Sequence, residues 1–157
     1  MASVTRRLLR ELQEARKGLN EELVSLAPVS DDDILRWRAV LRGPSDTPYK
    51  GAAFEIDIDI PEQYPIKPPT LTFVTPVCHP NVHFETGEIC LDILKTQWSP
   101  AWTLMSTCLA IHVLLANPEP SSPLNCDAAN LLRCGDIVGY NSLVAHYTRM
   151  HARRLTP

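Results

Sequence analysis

Proline content is the feature that most constrains the fold of this chain, which contains fourteen prolines among 157 residues. Proline has no amide hydrogen and its ring clashes with the preceding turn, so it interrupts helices and central strands. This density rules out an all-helical bundle and predicts short elements separated by turns. The length suits one domain, and we expect residues 1–157 to form a single domain.

The composition excludes several classes of protein. Fifteen basic and eighteen acidic residues give a net charge of −3, and nonspecific nucleic-acid binding normally requires a basic excess. We therefore expect no nucleic-acid partner. The five cysteines are odd in number and show no CxxC spacing, which argues against a disulfide framework and a zinc cage. No apolar run approaches the ~20 residues that span a bilayer. We expect a cytoplasmic protein without direct membrane insertion.

Hydrophobic periodicity predicts a helix followed by strands. Residues 35–39 and 54–60 alternate apolar and charged side chains with period two, and residues 71–74 are another strand candidate. No long crossover helix separates the strands, so we predict a four-stranded antiparallel meander. The N-terminal helix has an apolar stripe made of Val4, Leu8, Leu9, Leu12, Ala15 and Leu19. Its predicted exposed face carries Arg6, Arg7, Arg10, Glu11, Glu14, Arg16 and Lys17.

Periodicity disappears between residues 76 and 100, and a loop this long inside a compact domain is usually functional. Beyond it, Ser99 is predicted to cap a helix that has Pro100 in its first turn. Two further helices are predicted at residues 127–134 and 136–154. A helix, a meander, a long loop and then three helices make an α+β fold.

Cys90 is the residue of the long loop with the greatest chemical potential. A thiol in a loop between a sheet and a helix is placed like a nucleophile. The alternative for Cys90 is ordinary burial, because free cysteine is among the most buried residue types. The six glycines form no phosphate-binding motif, so activation for an uphill acyl transfer would have to occur on another protein.

Two other arrangements of thiols and imidazoles remain open from the residues alone. Zinc could be held by two cysteines and two histidines, although the cysteines are twelve residues apart. Those four residues are Cys78, His79, His83 and Cys90. Alternatively, Cys90 could pair with a downstream histidine as in papain-like enzymes. The candidates for that role are His112, His146 and His151.

Several spaced motifs decide between these readings. Residues 64–69 read YPIKPP, residues 79–81 read HPN, and residues 87–94 read GEICLDIL. The pattern continues with QWSPA at residues 97–101. In this order the motifs resemble the ubiquitin-conjugating enzyme family over essentially the whole chain. Finer features, including HF at residues 83–84, resemble its peroxisomal branch.

The resemblance implies that Cys90 accepts activated ubiquitin as a thioester and passes it to a substrate with a RING-type ligase. A thiol is nucleophilic at neutral pH, and a thioester remains reactive toward amines. No bound cofactor is implied, since ATP is consumed by the upstream ubiquitin-activating enzyme. The alternative is a catalytically silent variant that binds ubiquitin or a partner without carrying it.

The resemblance also implies roles for the residues around the thiol. Asn81 would stabilise the oxyanion of the attack on the thioester or order the loop. Asp92 and Ser122 would orient the acceptor. His79 and Pro80 would be structural residues of the active-site loop.

Two docking surfaces are implied as well. The ligase-binding residues would be Ile66, Ser99, Pro100 and Ala101. The activating enzyme would dock on the first helix through Arg6, Arg7 and Arg10, unless these arginines are only a solvated face.

The chain departs from the family pattern at three positions. The spacing from Asn81 to Cys90 is one residue longer than usual, which predicts a bulge. Ser122 stands where many members have an acidic residue, and Ile66 replaces an aromatic residue. The peroxisomal branch further implies a membrane-anchored partner and, as substrate, the peroxisomal import receptor, with a cysteine as acceptor. It places the enzyme at the cytosolic face of the peroxisomal membrane.

Overall fold

The computed structural model describes residues 2–155. The chain forms α1 at Ala2–Gly18, β1 at Leu23–Ser30, β2 at Asp33–Arg42, β3 at Ala52–Asp59 and β4 at Thr70–Phe73. After a single 3₁₀ turn at Asp92–Leu94, it forms α2 at Leu104–Ala116, α3 at Cys126–Arg133, α4 at Ile137–His151 and β5 at Arg153–Arg154. This order confirms the predicted α+β fold. No helix in residues 2–155 is both long enough and apolar enough to cross a bilayer.

The sheet is the predicted antiparallel meander, with strand order β1-β2-β3-β4. The period-two pattern of β3 holds, since Phe54, Ile56 and Ile58 are buried while Asp59 is exposed. In β1, which had no strand signal of its own, Pro28 is tolerated because β1 is an edge strand.

Helix α1 buries Val4, Leu8 and Ala15 against the core. The prediction was wrong for Leu9 and Leu19, which are 49% and 43% exposed. Leu9 follows Leu8 and so lies about 100° further around the helix, outside the buried stripe. Leu19 lies beyond the helix end at Gly18.

Helix α2 begins at Leu104, and its N-cap is Thr103 rather than the predicted Ser99. Thr103 and Ser106 form a reciprocal capping box. Pro100 therefore lies in a turn before the helix. This turn is closed by the amide of Trp102, which donates to the Ser99 carbonyl at 3.1 Å.

Helix α4 ends at His151, three residues earlier than predicted. The following residues turn back onto the sheet, where Arg153 and Arg154 pair with Ala53 and Ala52 of β3. Residues 153–154 are thus a short strand that closes the domain. Helix α3 starts one residue earlier than predicted, because Asn125 caps it through a bond from the Ala128 amide.

Candidate active site

Cys90 lies just before the single 3₁₀ turn, in the irregular segment between β4 and α2, and its side chain is partly exposed. Its amide donates to the Asn81 carbonyl at 2.8 Å. This bond ties residues 87–92, which we call the thiol segment, to the HPN motif. The preceding residue, Ile89, is buried and bridges to Val82. Cys90 is therefore held on a buried support while it remains partly exposed itself.

Gly87 explains how this segment reaches the sheet. Its φ is +75°, and a Cβ at this position would lie 2.0 Å from the Phe73 carbonyl oxygen. Only glycine fits both conditions. The Gly87 carbonyl accepts from the Phe73 amide at 3.0 Å, so the segment before Cys90 is fastened to the end of β4.

His79 is fully buried and engaged at both ring nitrogens. Its Nε2 lies 2.8 Å from the Leu114 carbonyl, and its Nδ1 accepts from the Asn81 amide at 2.9 Å. Nε2 must then carry the proton. Burial lowers the pKa of His79 to about 4, so the ring is neutral near pH 7. A ring with both nitrogens occupied in this way is unsuited to the zinc ligation considered above.

Asn81 is 1% exposed, and its amide group is directed at the loop between α2 and α3. Its Oδ1 accepts from the Glu119 amide at 2.8 Å, and its Nδ2 donates to the carbonyls of Glu119 and Ser122 at 2.8 and 3.0 Å. Both N–H groups of the side chain are thereby used. Of the two roles considered for Asn81, this geometry favours ordering the loop.

The same loop is held at two further points. The Pro80 carbonyl accepts from the amides of Leu124 and Asn125 at 2.8 and 3.1 Å. From α3, Arg133 donates to the Pro120 carbonyl at 2.5 Å. Residues 117–125, which we call the acceptor wall, thus have a defined shape despite lacking regular structure.

The two residues expected to orient the acceptor are on the surface. Asp92 and Ser122 are both exposed. Asp92 opens the 3₁₀ turn two residues after the thiol, and Ser122 belongs to the acceptor wall. Their role in orienting an acceptor stays a prediction.

The predicted ligase residues share one surface. Ile66 is 79% exposed, and Ser99, Pro100 and Ala101 are exposed on the neighbouring loop. Trp98, which the motif reading did not single out, donates from its indole to the Pro65 carbonyl at 2.8 Å. This bond joins the two loops, and we call their exposed residues the ligase surface.

The three arginines assigned to docking differ in the structure. Arg6 and Arg10 are exposed, as a docking role requires. Arg7 instead turns inward and donates to Glu11 at 2.6 Å and to the carbonyls of Pro100 and Trp102 at 3.0 and 2.9 Å. Because its charge is already paired within the domain, the docking prediction is kept for Arg6 and Arg10.

Glu11 is also misplaced by the helical pattern, which put it on the exposed face although it is only 5% exposed. Its carboxylate accepts from Arg7, from the Tyr64 hydroxyl at 2.6 Å and from the Leu104 amide at 2.7 Å. The only available signal was the four-residue spacing from Arg7 to Glu11, which is equally common on solvated faces.

Two concavities flank the thiol segment. An apolar groove of about 510 Å³ runs along α2 and includes Leu91, the residue after the thiol. The other residues of this α2 groove include Trp102, Leu109, Val113 and Leu114. A second cavity of about 410 Å³ lies between the active-site loop and α4. Cys78 and Cys126 both line it and both are free thiols, and burial raises the pKa of Cys78 to about 11.

The fold and this geometry can be compared with known proteins. The family model for "Ubiquitin-conjugating enzyme" matches residues 7–148, which is most of the chain. The chain belongs to the ubiquitin-conjugating enzyme family. Among its relatives, the Arabidopsis thaliana protein PEROXIN-4 is 51% identical over 146 residues and covers 93% of each chain. A Dictyostelium discoideum ubiquitin-conjugating enzyme named pex4 is 51% identical over 144 residues, covering 90% of this chain and 97% of its own.

Solved structures give the same result. The chain is similar to the H. polymorpha ubiquitin conjugating enzyme Pex4p, crystallised in complex with the soluble domain of Pex22p. The TM-score is 0.90 and the identity 43%, with 94% of this chain and 97% of that chain covered. The resemblance read from the motifs is therefore confirmed. The chain is thus a ubiquitin-conjugating enzyme similar to proteins named peroxin-4, and its family partners are ubiquitin and the ubiquitin-activating enzyme.

Proposed function

We propose that this ubiquitin-conjugating enzyme carries ubiquitin as a thioester on Cys90. The observation that carries the proposal is the position of Cys90, which is partly exposed, precedes Leu91 of the α2 groove and is bonded to Asn81, the residue that holds the acceptor wall. The Cys90 thiolate attacks the C-terminal carbonyl of ubiquitin on the activating enzyme, and the activating enzyme's thiolate leaves. The chain needs no cofactor for this exchange, because ATP is consumed upstream.

Transfer then forms a new bond from the acceptor to the same carbonyl and breaks the bond to the Cys90 sulfur. The acceptor loses one proton, and the Cys90 thiolate is released. Asn81 supports this step by holding the acceptor wall in place. Asp92 and Ser122, which are both exposed, would orient and desolvate the acceptor.

We propose that the ubiquitin tethered to Cys90 rests on the α2 groove. It begins at Leu91 and is almost entirely apolar along Leu109 and Val113, the latter 58% exposed. A globular protein bound to Cys90 through its flexible C-terminus has a high effective concentration at this surface. An apolar patch of ubiquitin resting there would restrict the thioester to fewer orientations.

Two further partners follow from the chain's relatives and exposed residues. We propose that a RING-type ligase binds the ligase surface, with Ile66 inserted, and that Arg6 and Arg10 contact the activating enzyme. The likeness to peroxin-4 proteins and to Pex4p in complex with Pex22p supports recruitment to the cytosolic face of the peroxisomal membrane by a membrane-anchored partner. The substrate there would be the peroxisomal import receptor.

Loading of Cys90 is tested by incubating the chain with activating enzyme, ATP and ubiquitin. We expect a reductant-sensitive adduct in the wild type and a reductant-resistant one in Cys90→Ser. Cys126→Ser is the matched control, because Cys126 is also an exposed thiol, and it should load like the wild type. Absence of an adduct under all loading conditions would favour the silent binding variant.

The nature of the acceptor is tested by discharging the loaded enzyme onto free cysteine and free lysine. A thiol acceptor ionises more readily than an amine and needs less help from a base, which suits a serine at position 122, where the family resemblance implies an acidic residue in many members. We expect faster discharge onto cysteine. Lysine discharge at an equal rate would contradict a cysteine acceptor.

A further inference from the structure

One buried carboxylate connects helix α1 to one loop of the ligase surface and to the start of α2. The side chain of Glu11 is 4% exposed and accepts three hydrogen bonds. The donors are Arg7 of α1, Tyr64 in the loop that presents Ile66, and the first residue of α2, Leu104. These donors belong to three segments that are distant in sequence.

Arg7 extends this connection to the second ligase loop. Its Nη2 donates to the carbonyls of Pro100 and Trp102, on either side of Ala101. Its guanidinium also lies 5.6 Å from the centre of the Tyr64 ring. Together with the bond from Trp98 to Pro65, these contacts form a closed circuit through α1 and both ligase loops.

The circuit depends on the shape of the guanidinium group. Arg7 uses Nε for one acceptor and Nη2 for two others, and its planar fork holds these donors in a fixed arrangement. A lysine ammonium carries the same charge, but it is a single compact point and cannot reach all three acceptors at once. Residues 99–102 have no regular ladder of bonds, so the contacts to Arg7 determine where this loop lies.

We propose that Arg7 and Glu11 are positioning residues for ligase binding. They set the distance between Ile66 and residues 99–101 from α1, although neither faces the ligase. The ligase loop that contains residues 99–101 is also bonded to the segment around the thiol, since the Gln97 amide donates to the Asp92 carbonyl at 2.9 Å. The circuit thus determines how strongly a bound ligase accelerates discharge from Cys90. This inference rests on the proposed function of a RING-binding thioester carrier.

The test uses Arg7→Lys with Arg16→Lys as its matched control, because Arg16 is an exposed arginine of the same helix to which no partner is assigned. The probe is an isolated RING domain that accelerates ubiquitin discharge from the wild-type chain. In Arg7→Lys we expect the affinity of the RING domain for the enzyme without ubiquitin on Cys90 to weaken about tenfold, which equals about 1.4 kcal/mol. RING-stimulated discharge should fall in parallel. Loading by the activating enzyme and unstimulated discharge onto free cysteine should stay at wild-type rates.

Tyr64→Phe provides an independent variant, since it removes only the hydroxyl bonded to Glu11 and keeps the ring. It should show a smaller loss of the same two RING-dependent quantities. Equal RING affinity in Arg7→Lys and Arg16→Lys would overturn the inference. A loss of loading in Arg7→Lys would also overturn it, by assigning Arg7 to the activating enzyme. A wild-type chain that never loads would instead refute the proposed function. RING binding to the chain without ubiquitin would still test whether the contacts of Arg7 and Glu11 position the ligase surface.

Discussion

The two surfaces beside Cys90 are held in place by different chemistry. The acceptor wall is bonded mainly to neutral groups, above all to Asn81, an amide that is 1% exposed and bonded to backbone groups, with one further bond from Arg133. The ligase surface is held by the ion pair of Arg7 and Glu11, whose side chains are 16% and 4% exposed. Both surfaces consist of irregular backbone, so neither has a ladder of bonds to define it.

This difference has functional consequences. A neutral amide bonded to backbone atoms gives directional contacts that salt and neighbouring charges scarcely affect. An ion pair that also bonds several backbone groups connects more segments, but its contribution depends on keeping both charges together. The acceptor wall is thus held by an amide whose bonds are insensitive to salt and nearby charges. The ligase surface is held by an ion pair whose contribution depends on both charges.

The largest expected effect comes from Asn81→Ala, which removes all three bonds from the side chain to the acceptor wall. We expect single-turnover discharge from the Cys90 thioester to fall about 10²-fold, because a displaced wall misplaces the acceptor. Hydrogen exchange at the Glu119 amide should accelerate in the same variant. Asn141→Ala, an exposed asparagine of α4, serves as the control. Slow discharge with unchanged exchange at Glu119 would instead assign Asn81 to the oxyanion.

A medium effect is expected for Glu11→Ala, which tests the charged side of the comparison. The variant leaves the Tyr64 hydroxyl and the Leu104 amide without their acceptor and Arg7 without its counter-charge. We expect the free energy of unfolding to fall by about 2 kcal/mol in urea titrations, less than for a fully buried pair because Arg7 keeps two carbonyl partners. The exposed Glu14→Ala should change it by less than about 0.5 kcal/mol. Equal values for the two variants would show that Glu11 contributes no more than a surface residue.

The smallest effect, when expressed per pH unit, concerns His79, the neutral support beneath the acceptor wall. The pKa of His79 is about 4 in the folded chain against 6.5 ordinarily, so the unfolded chain takes up the proton first as pH falls. Stability should therefore decrease between about pH 6.5 and pH 4, at up to about 1.4 kcal/mol per pH unit. Denaturant titrations across this window measure the slope, and His79→Gln should flatten it. If the His79 imidazole titrates near pH 6.5 in NMR spectra, its assignment as buried and neutral is wrong.

Local patterns predicted most of the fold and the thiol. The alternation over residues 54–60 specifies one buried face of β3, because the side-chain period of a strand is two. The start of α2 was not predicted, since Ser99 and Pro100 satisfy local capping preferences as well as Thr103 does. The deciding contact comes from Arg7, 93 residues away from Pro100. The end of α4 was missed for a similar reason, because Arg153 pairs with Ala53 of the sheet.

The sequence by itself determined the family, the α+β order of elements and the candidate nucleophile Cys90, because these depend on residue type and short spacings. The tertiary structure alone decided which of several like residues are structural. Arg7 and Glu11 are built into the domain, whereas Arg6, Arg10 and the neighbouring Glu14 are exposed. Burial and hydrogen-bond partners depend on segments far apart in the chain, and the helical pattern of α1 contains no information about them.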